Sequence, residues 1–211
     1  MVQHYPVEHT RDLAVEMSSD LSPATHVGDI IAKGHKRANL IHRVFFCRDV
    51  NTLLHAYLVY VRPLLEYGSI IWYPYTVKGI TAIESVQRRF TKRLPDFNAL
   101  CYRDRLQRLN IPSLELRRLH TDLIWCYKIV FNMVDLRFDE FLEWSPSCGT
   151  GGHKYKLYKK SVSTHVRSEF FTEHVLNAWN GLPENRTDFS SLSHFKNSIL
   201  ACDLSLNLKC F

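Results

Sequence analysis

The chain has 211 residues, with 27 lysines and arginines against 21 aspartates and glutamates, a formal charge of +6 at pH 7. Apolar residues at 45% and charged residues at 23% are ordinary globular values, and eight glycines with eight prolines exclude a collagen-like or low-complexity chain. No run approaches the ~18 apolar residues of a membrane span, the start lacks the basic-then-apolar profile of a secretory leader, and the surplus of base points to an acidic partner such as nucleic acid.

In chain order, Arg11 to Met17 reads as a short strand followed by a turn at Ser18-Ser19-Asp20. From Val27 to Val44, apolar residues recur at helical spacing (Val27, Ile30, Ile31, Ala38, Ile41, Val44), with Gly34 weakening the middle. Asp49 is an N-cap candidate for a second helix whose buried stripe is Val50, Leu53, Leu54, Tyr57, Leu58 and Val61. Pro63 must kink or interrupt it, because proline removes a donor and clashes with the preceding turn; Gly68 offers a stop.

A third helix is predicted from Thr76 to Leu94. At about 100° per residue, Ile80, Ile83, Phe90 and Leu94 fall in one sector, and Lys78, Arg88, Arg89, Lys92 and Arg93 spread around the other, with Glu84 at the border. A short amphipathic piece over Tyr102 to Leu109 follows. Pro112-Ser113 then opens a helix from Leu114 to about Asn132, apolar along Leu116, Leu119, Leu123, Tyr127 and Val130, with Arg117, Arg118, Thr121 and Lys128 broadly opposite. Trp125, Ile129 and Phe131 widen its apolar surface and make it central to a bundle.

Trp144 to Gly152 is a break rich in Ser, Gly and Pro. Lys154-Tyr155-Lys156-Leu157-Tyr158-Lys159-Lys160 alternates at first as an extended segment would; its aromatics either stack bases while the lysines meet phosphates, or pin the segment to the core. Two short helices, Arg167 to Asn180 and Ser190 to Ala201, complete the chain around a Gly181-Leu182-Pro183 stop, with Asp188 or Ser190 as cap for the last.

Charge is segregated. Val86 to Leu119 holds nine bases and three acids, His153 to Ser168 five bases and no acid, so the remainder is net acidic. An ordinary soluble surface intersperses both signs. The two zones therefore suggest a polyanion-facing surface, with a merely solvated basic face as the plain alternative.

Sites of chemistry are harder to find. Six scattered cysteines make neither a disulfide scaffold nor a zinc site at familiar spacing, and read as reduced thiols of an intracellular protein, nuclear or cytoplasmic. No phosphate-binding glycine loop, dinucleotide fingerprint, nucleophile elbow or His-Glu-x-x-His is present. Asp139-Glu140 reads as a solvated pair rather than part of a two-metal centre.

Several runs carry a resemblance. Tyr60-Val61-Arg62-Pro63-Leu64-Leu65-Glu66-Tyr67-Gly68-Ser69-Ile70-Ile71-Trp72-Tyr73-Pro74 resembles the "VRPxLEYxSxxWxP" block of non-LTR (LINE-type, jockey-like) retrotransposon reverse transcriptases, which are RNA-directed DNA polymerases. Ile83 to Leu94 resembles their "IExVQRRFTKRL". In matching order follow Tyr102-Arg103-Asp104-Arg105-Leu106, Leu114 to Leu119, Asp122-Leu123, Gly152 to Leu157, Phe170-Phe171, Trp179-Asn180-Gly181-Leu182-Pro183 and Phe195-Lys196. The likeness covers about Val7 to Leu200. Arg11-Asp12-Leu13-Ala14-Val15 resembles the family's "kDLGV", with Ala14 where glycine is usual, and Thr150-Gly151-Gly152-His153 departs from "TRGH".

The resemblance implies a mainly α fold: a palm-proximal segment at 1–26, a helical thumb-like bundle at 27–145, and a basic segment with small C-terminal helices at 146–211. It implies a C-terminal piece of a reverse transcriptase that binds primer-template or RNA backbone and is inactive alone, since the catalytic Tyr-x-Asp-Asp and its Mg²⁺ would belong to a palm before Arg11. The expected partners are DNA, RNA or an RNA–DNA hybrid, with no membrane. Arg88, Arg89, Lys92 and Arg93 are the leading phosphate contacts, Arg117 and Arg118 secondary ones, and Lys154, Lys156, Lys159 and Lys160 a second backbone contact. No catalytic residue, metal ligand or cofactor is expected in the chain itself. The alternatives are a helical protein-interaction module reused by a host, whose basic face docks an acidic protein, and a functionless relic.

Overall fold

The computed structural model describes residues 9–20, 22–74, 76–146, 152–159 and 171–210, with the backbone alone at 172–174. The fold is mainly α. Its strands β1 (His9–Asp12) and β2 (Val15–Ser18) precede α1 (Ala24–Val44), α2 (Val50–Tyr60), α3 (Arg62–Glu66), α4 (Val77–Lys92), α5 (Tyr102–Leu109), α6 (Leu114–Val130), α7 (Phe138–Phe141), α8 (Phe171–Asn180) and α9 (Leu192–Leu200). Among the described residues no helix is long and apolar enough to cross a membrane. The chain divides into two compact units, the first ending at Glu115 and taking in Cys210, the second running from Leu116 to Lys209. The division falls within the first turn of α6: Leu114 belongs to one apolar core, and Leu119 begins the other.

In the first unit, β1 and β2 form an antiparallel hairpin with Asp12 opposite Val15. A single strand had been expected over Arg11–Met17. The turn residues Leu13 and Ala14 lie at φ 43° and 67°, the conformation that suits a two-residue hairpin but costs a side-chain-bearing residue roughly 1–2 kcal/mol. Without glycine or asparagine, such a turn leaves no mark in the sequence. Glu16 N donates to Nδ1 of the buried His26 at 3.2 Å, tying the hairpin to α1.

Helical periodicity held for the rest of this unit. The Asp49 carboxylate caps α2, accepting from Thr52 N at 2.8 Å. Pro63 does not bend α2 but sits in the first turn of a new helix, where its missing donor is not needed. Leu53, Tyr57, Val61, Leu65, Ile83, Val86 and Phe90 form the centre of the core. Gly34 is a packing device: a Cβ there would come within 3.0 Å of Leu65 Cδ2 and 3.3 Å of Val86 Cγ1. Its absence lets α3 and α4 approach α1.

The second unit is built around α6 and α8. Trp179, Phe195, Val175, Leu123 and Cys126 are fully buried or nearly so. Tyr127 stacks on Phe195 at 4.6 Å and donates to Phe189 O at 3.0 Å. The cap of α9 is Ser191, which accepts from His194 N; Asp188 instead accepts from Ser190 N, shaping the turn before it. The first residues of the helix expected over Arg167–Asn180, together with Cys148, lie outside the described residues.

Candidate nucleic-acid interface

Helix α4 sets the site. Thr76 caps it by accepting from Gly79 N at 3.1 Å, and Ile80, Ile83, Val86, Phe90 and Leu94 turn inward, each no more than 2% exposed. Helical geometry then forces Lys78, Arg88, Arg89, Lys92 and Arg93 outward, and all five are exposed. None of Arg88, Arg89, Lys92 and Arg93 forms an ion pair with a described residue. The negative end of the α4 dipole favours Arg89 and Lys92 in the last turn by a few tenths to about 1 kcal/mol each, but gives no reason for four cations.

The base beneath these cations is polar and buried. Glu84, placed at the helix border by sequence reasoning, is 0% exposed: it accepts from Tyr102 OH at 2.5 Å and from Leu114 N and Glu115 N at 3.2 and 3.3 Å, so it covers the N-terminal amides of α6. Gln87 accepts from Tyr57 OH at 3.2 Å and donates to Tyr102 OH at 3.2 Å and Pro112 O at 3.0 Å. Burial, then the Glu84 charge, push the Tyr102 hydroxyl well above its ordinary range, so it stays a donor. The Tyr102 ring carries the guanidinium carbons of Arg88 and Arg105 at 5.0 and 5.2 Å from its centroid. Arg105 is buried and donates to Arg88 O at 2.8 Å and Thr91 Oγ1 at 3.2 Å, locking α5 to α4. Arg88 is thereby held rather than free to sweep.

Helix α1 widens the cationic face, which sequence reasoning missed. Arg93 Nη1 donates to Asn39 Oδ1 at 2.6 Å. His35 lies against α4, with Ser85 Oγ at 3.4 Å, and its pKa is lowered by burial and then by Arg89. Lys36 and Arg43 lie three residues before and four after Asn39, hence on the same side of α1, and both are exposed. Their spacing was the available signal: Lys36, Asn39 and Arg43 repeat at helical period within a segment already read as helix.

The other candidates fare unevenly. Arg118 is 1% exposed, with Nε, Nη1 and Nη2 lacking hydrogen-bond partners; it is enclosed and leaves the set of surface cations. No residue of α6 is exposed, so it has no solvated back on which to display both arginines. Arg117 is half-buried. In the basic segment, Lys154 is exposed over the Tyr155 ring at 5.1 Å, Lys156 is half-buried, and Lys159 Nζ donates to Asn177 Oδ1 at 2.9 Å. Lys160 lies outside the described residues.

That segment is extended and clamped. Trp144 and Leu157 bridge antiparallel, Asn180 exchanges hydrogen bonds with Leu157 N and O at 2.9 and 2.8 Å, and Trp179 Nε1 donates to Tyr155 O at 2.7 Å. His153 Nε2 meets Trp179 O at 2.8 Å, and burial lowers its pKa. Tyr155 packs on Phe131 and Phe189. Of the two readings left open, Tyr155 pins the segment to the core, whereas Tyr158 remains exposed.

Among the described residues no three or more His, Cys, Asp or Glu side chains come together to hold a metal ion. The Mg²⁺ implied by the resemblance therefore meets no such group of donors there. Comparison with protein-family models, curated proteins and solved structures finds no match for this chain.

Proposed function

We propose that the first unit grips the sugar-phosphate backbone of a nucleic acid through α4 and the adjoining side of α1, as the resemblance to the thumb region of non-LTR reverse transcriptases implies. The observation that carries this reading is the outward row Arg88, Arg89, Lys92 and Arg93, unpaired with described carboxylates and seated on a rigid hydrogen-bonded base. Cations left unneutralised on a fixed scaffold suit a ligand that brings its own negative charge at regular spacing. In this reading the chain supplies grip for primer-template duplex, and polymerisation chemistry and its Mg²⁺ belong to a palm. Lys154 and Lys159 of the second unit are a separate, lesser backbone contact.

If four phosphates are neutralised, log affinity for duplex DNA falls with log salt at a slope of about −3.6, and replacing all four α4 cations by glutamine lowers affinity about a thousand-fold near 0.1 M salt while removing most of the slope. Titrations of the full chain with DNA, RNA and hybrid duplexes across salt measure both. Binding that ignores salt, or survives the quadruple substitution, refutes the reading. A nuclease-resistant protein complex lost in the same variant would instead favour the docking of an acidic protein.

A further inference from the structure

The loop between α1 and α2 turns one of two neighbouring phenylalanines inward and the other out. Phe45 packs against the core of the first unit, but Phe46 is 98% exposed. An isolated exposed aliphatic side chain is commonplace; this ring stands among cations. Arg43 and Arg48 are exposed on either side of it in the chain, and Arg48 Nη1 donates to His42 O at 3.2 Å, which fixes the arginine beside the end of α1. Both Arg93 and Arg48 act electrostatically on the buried His42. The row that runs along α4 to Arg93 and Asn39 therefore continues into this loop. The acid of this loop, Asp49, is engaged in capping α2 through Thr52 N and Oγ1.

An aromatic face at the end of a cationic track matches the chemistry of a strand with unpaired bases, where phosphates follow the charges and a base lies flat on the ring. We propose that Phe46 is a stacking platform for an unpaired base, so that the face holds single-stranded nucleic acid, or the unpaired end of a duplex, by its base as well as by its backbone. This rests on the backbone-gripping reading but uses a different residue and a different force. Stacking needs no phosphate, so its loss leaves the salt slope intact. A lipid surface is the competing occupant, since Leu40 and Val44 of α1 are also exposed. The polar link between Asn39 and Arg93 and the single aromatic ring favour the base.

The test uses the full chain and three fluorescent probes: a twelve-residue oligothymidylate, its abasic counterpart with the same number of phosphates, and a blunt-ended duplex of two separate strands. Phe46→Ala should weaken oligothymidylate binding by about five-fold or more, change the abasic and blunt-duplex affinities by less than about two-fold, and leave the salt slope unchanged. Phe46→Trp should restore affinity. The exposed ring supports no packing, so the thermal melt should not move. Equal weakening on all three probes, or none on oligothymidylate, overturns the proposal while the backbone reading stands. Failure of the unaltered chain to bind any probe overturns both. Sedimentation with phosphatidylserine vesicles that is lost in Phe46→Ala, with oligothymidylate binding retained, overturns it in favour of a membrane.

Discussion

Arg88-Arg89 on α4 and Arg117-Arg118 on α6 are the same dipeptide on two helices of similar length, yet the first pair faces solvent and Arg118 is enclosed. The difference lies in what the rest of each helix carries. In α4 the apolar residues fill one stripe, so the opposite side has nowhere to go but water. In α6 no residue from Leu114 to Val130 is exposed, so the helix offers no wet side and a cation on it is at least half-buried wherever it falls. Charge read along a chain is therefore a poor guide to charge on a surface unless the helix beneath it has only one wet side.

The sharpest way to break this contrast is to reverse one charge from each pair. Arg118→Glu would set a buried acid one turn from the buried Asp122, and should cost about 3–5 kcal/mol in denaturant unfolding of the full chain. Arg89→Glu reverses a favourable interaction with the end of the α4 dipole and should cost no more than about 2 kcal/mol, while weakening nucleic-acid affinity measurably. Equal stability effects would mean that Arg118 finds solvent after all.

A smaller effect separates the two cationic zones. The α4 row rests on a helix, but Lys154 and Lys159 are placed by an extended segment that Asn180 holds at Leu157. Asn180→Ala leaves both backbone groups of Leu157 without that partner and should cost about 1–3 kcal/mol, with faster exchange of the Leu157 amide. Binding through α4 should be unchanged; if it falls with Asn180→Ala, the two zones do not act separately.

What the sequence made legible follows the range of the interactions. Helices α1, α2, α4 and α6 announce themselves by periodicity, and the Asp49 cap by a bond spanning three residues. The cationic face of α4 was visible for the same reason, since one helix defines both its stripe and its back. Interactions across long separations were not visible. Glu84 reaches amides 30 and 31 residues away, and nothing in its neighbours tells that a carboxylate beside Arg88 is a buried anchor rather than a surface partner. Phe45 and Phe46 are indistinguishable by composition and alternate in burial only because the loop turns between helices. The hairpin escaped notice because Leu13 and Ala14 carry a turn that glycine and asparagine usually mark.

The smallest expected effect concerns pH, and it too sets one unit against the other. His42 is buried, its ring tilted against Phe90 with centroids 4.6 Å apart, and its pKa is lowered first by burial and then by Arg93. His153 of the second unit is likewise lowered, first by burial. A histidine lowered in this way stays neutral in the native state, whereas the unfolded chain protonates near its ordinary value of about 6.5. The unfolded state then binds more protons, so stability rises with pH between the native value and about 6.5 and is level above it. Acidification from pH 7.5 to 5 should therefore lower the melting temperature. Hydrogen exchange should show α1 and α4 losing protection in the first unit, and α6 and α8 in the second. His42→Leu should weaken the response in α1 and α4 without abolishing it, since burial also lowers His26 and His35 of α1, and should leave α8, beside His153, as sensitive as before. A variant in which both units respond as in the unaltered chain would remove His42 as a source; one in which both responses weaken would show that the units do not unfold separately.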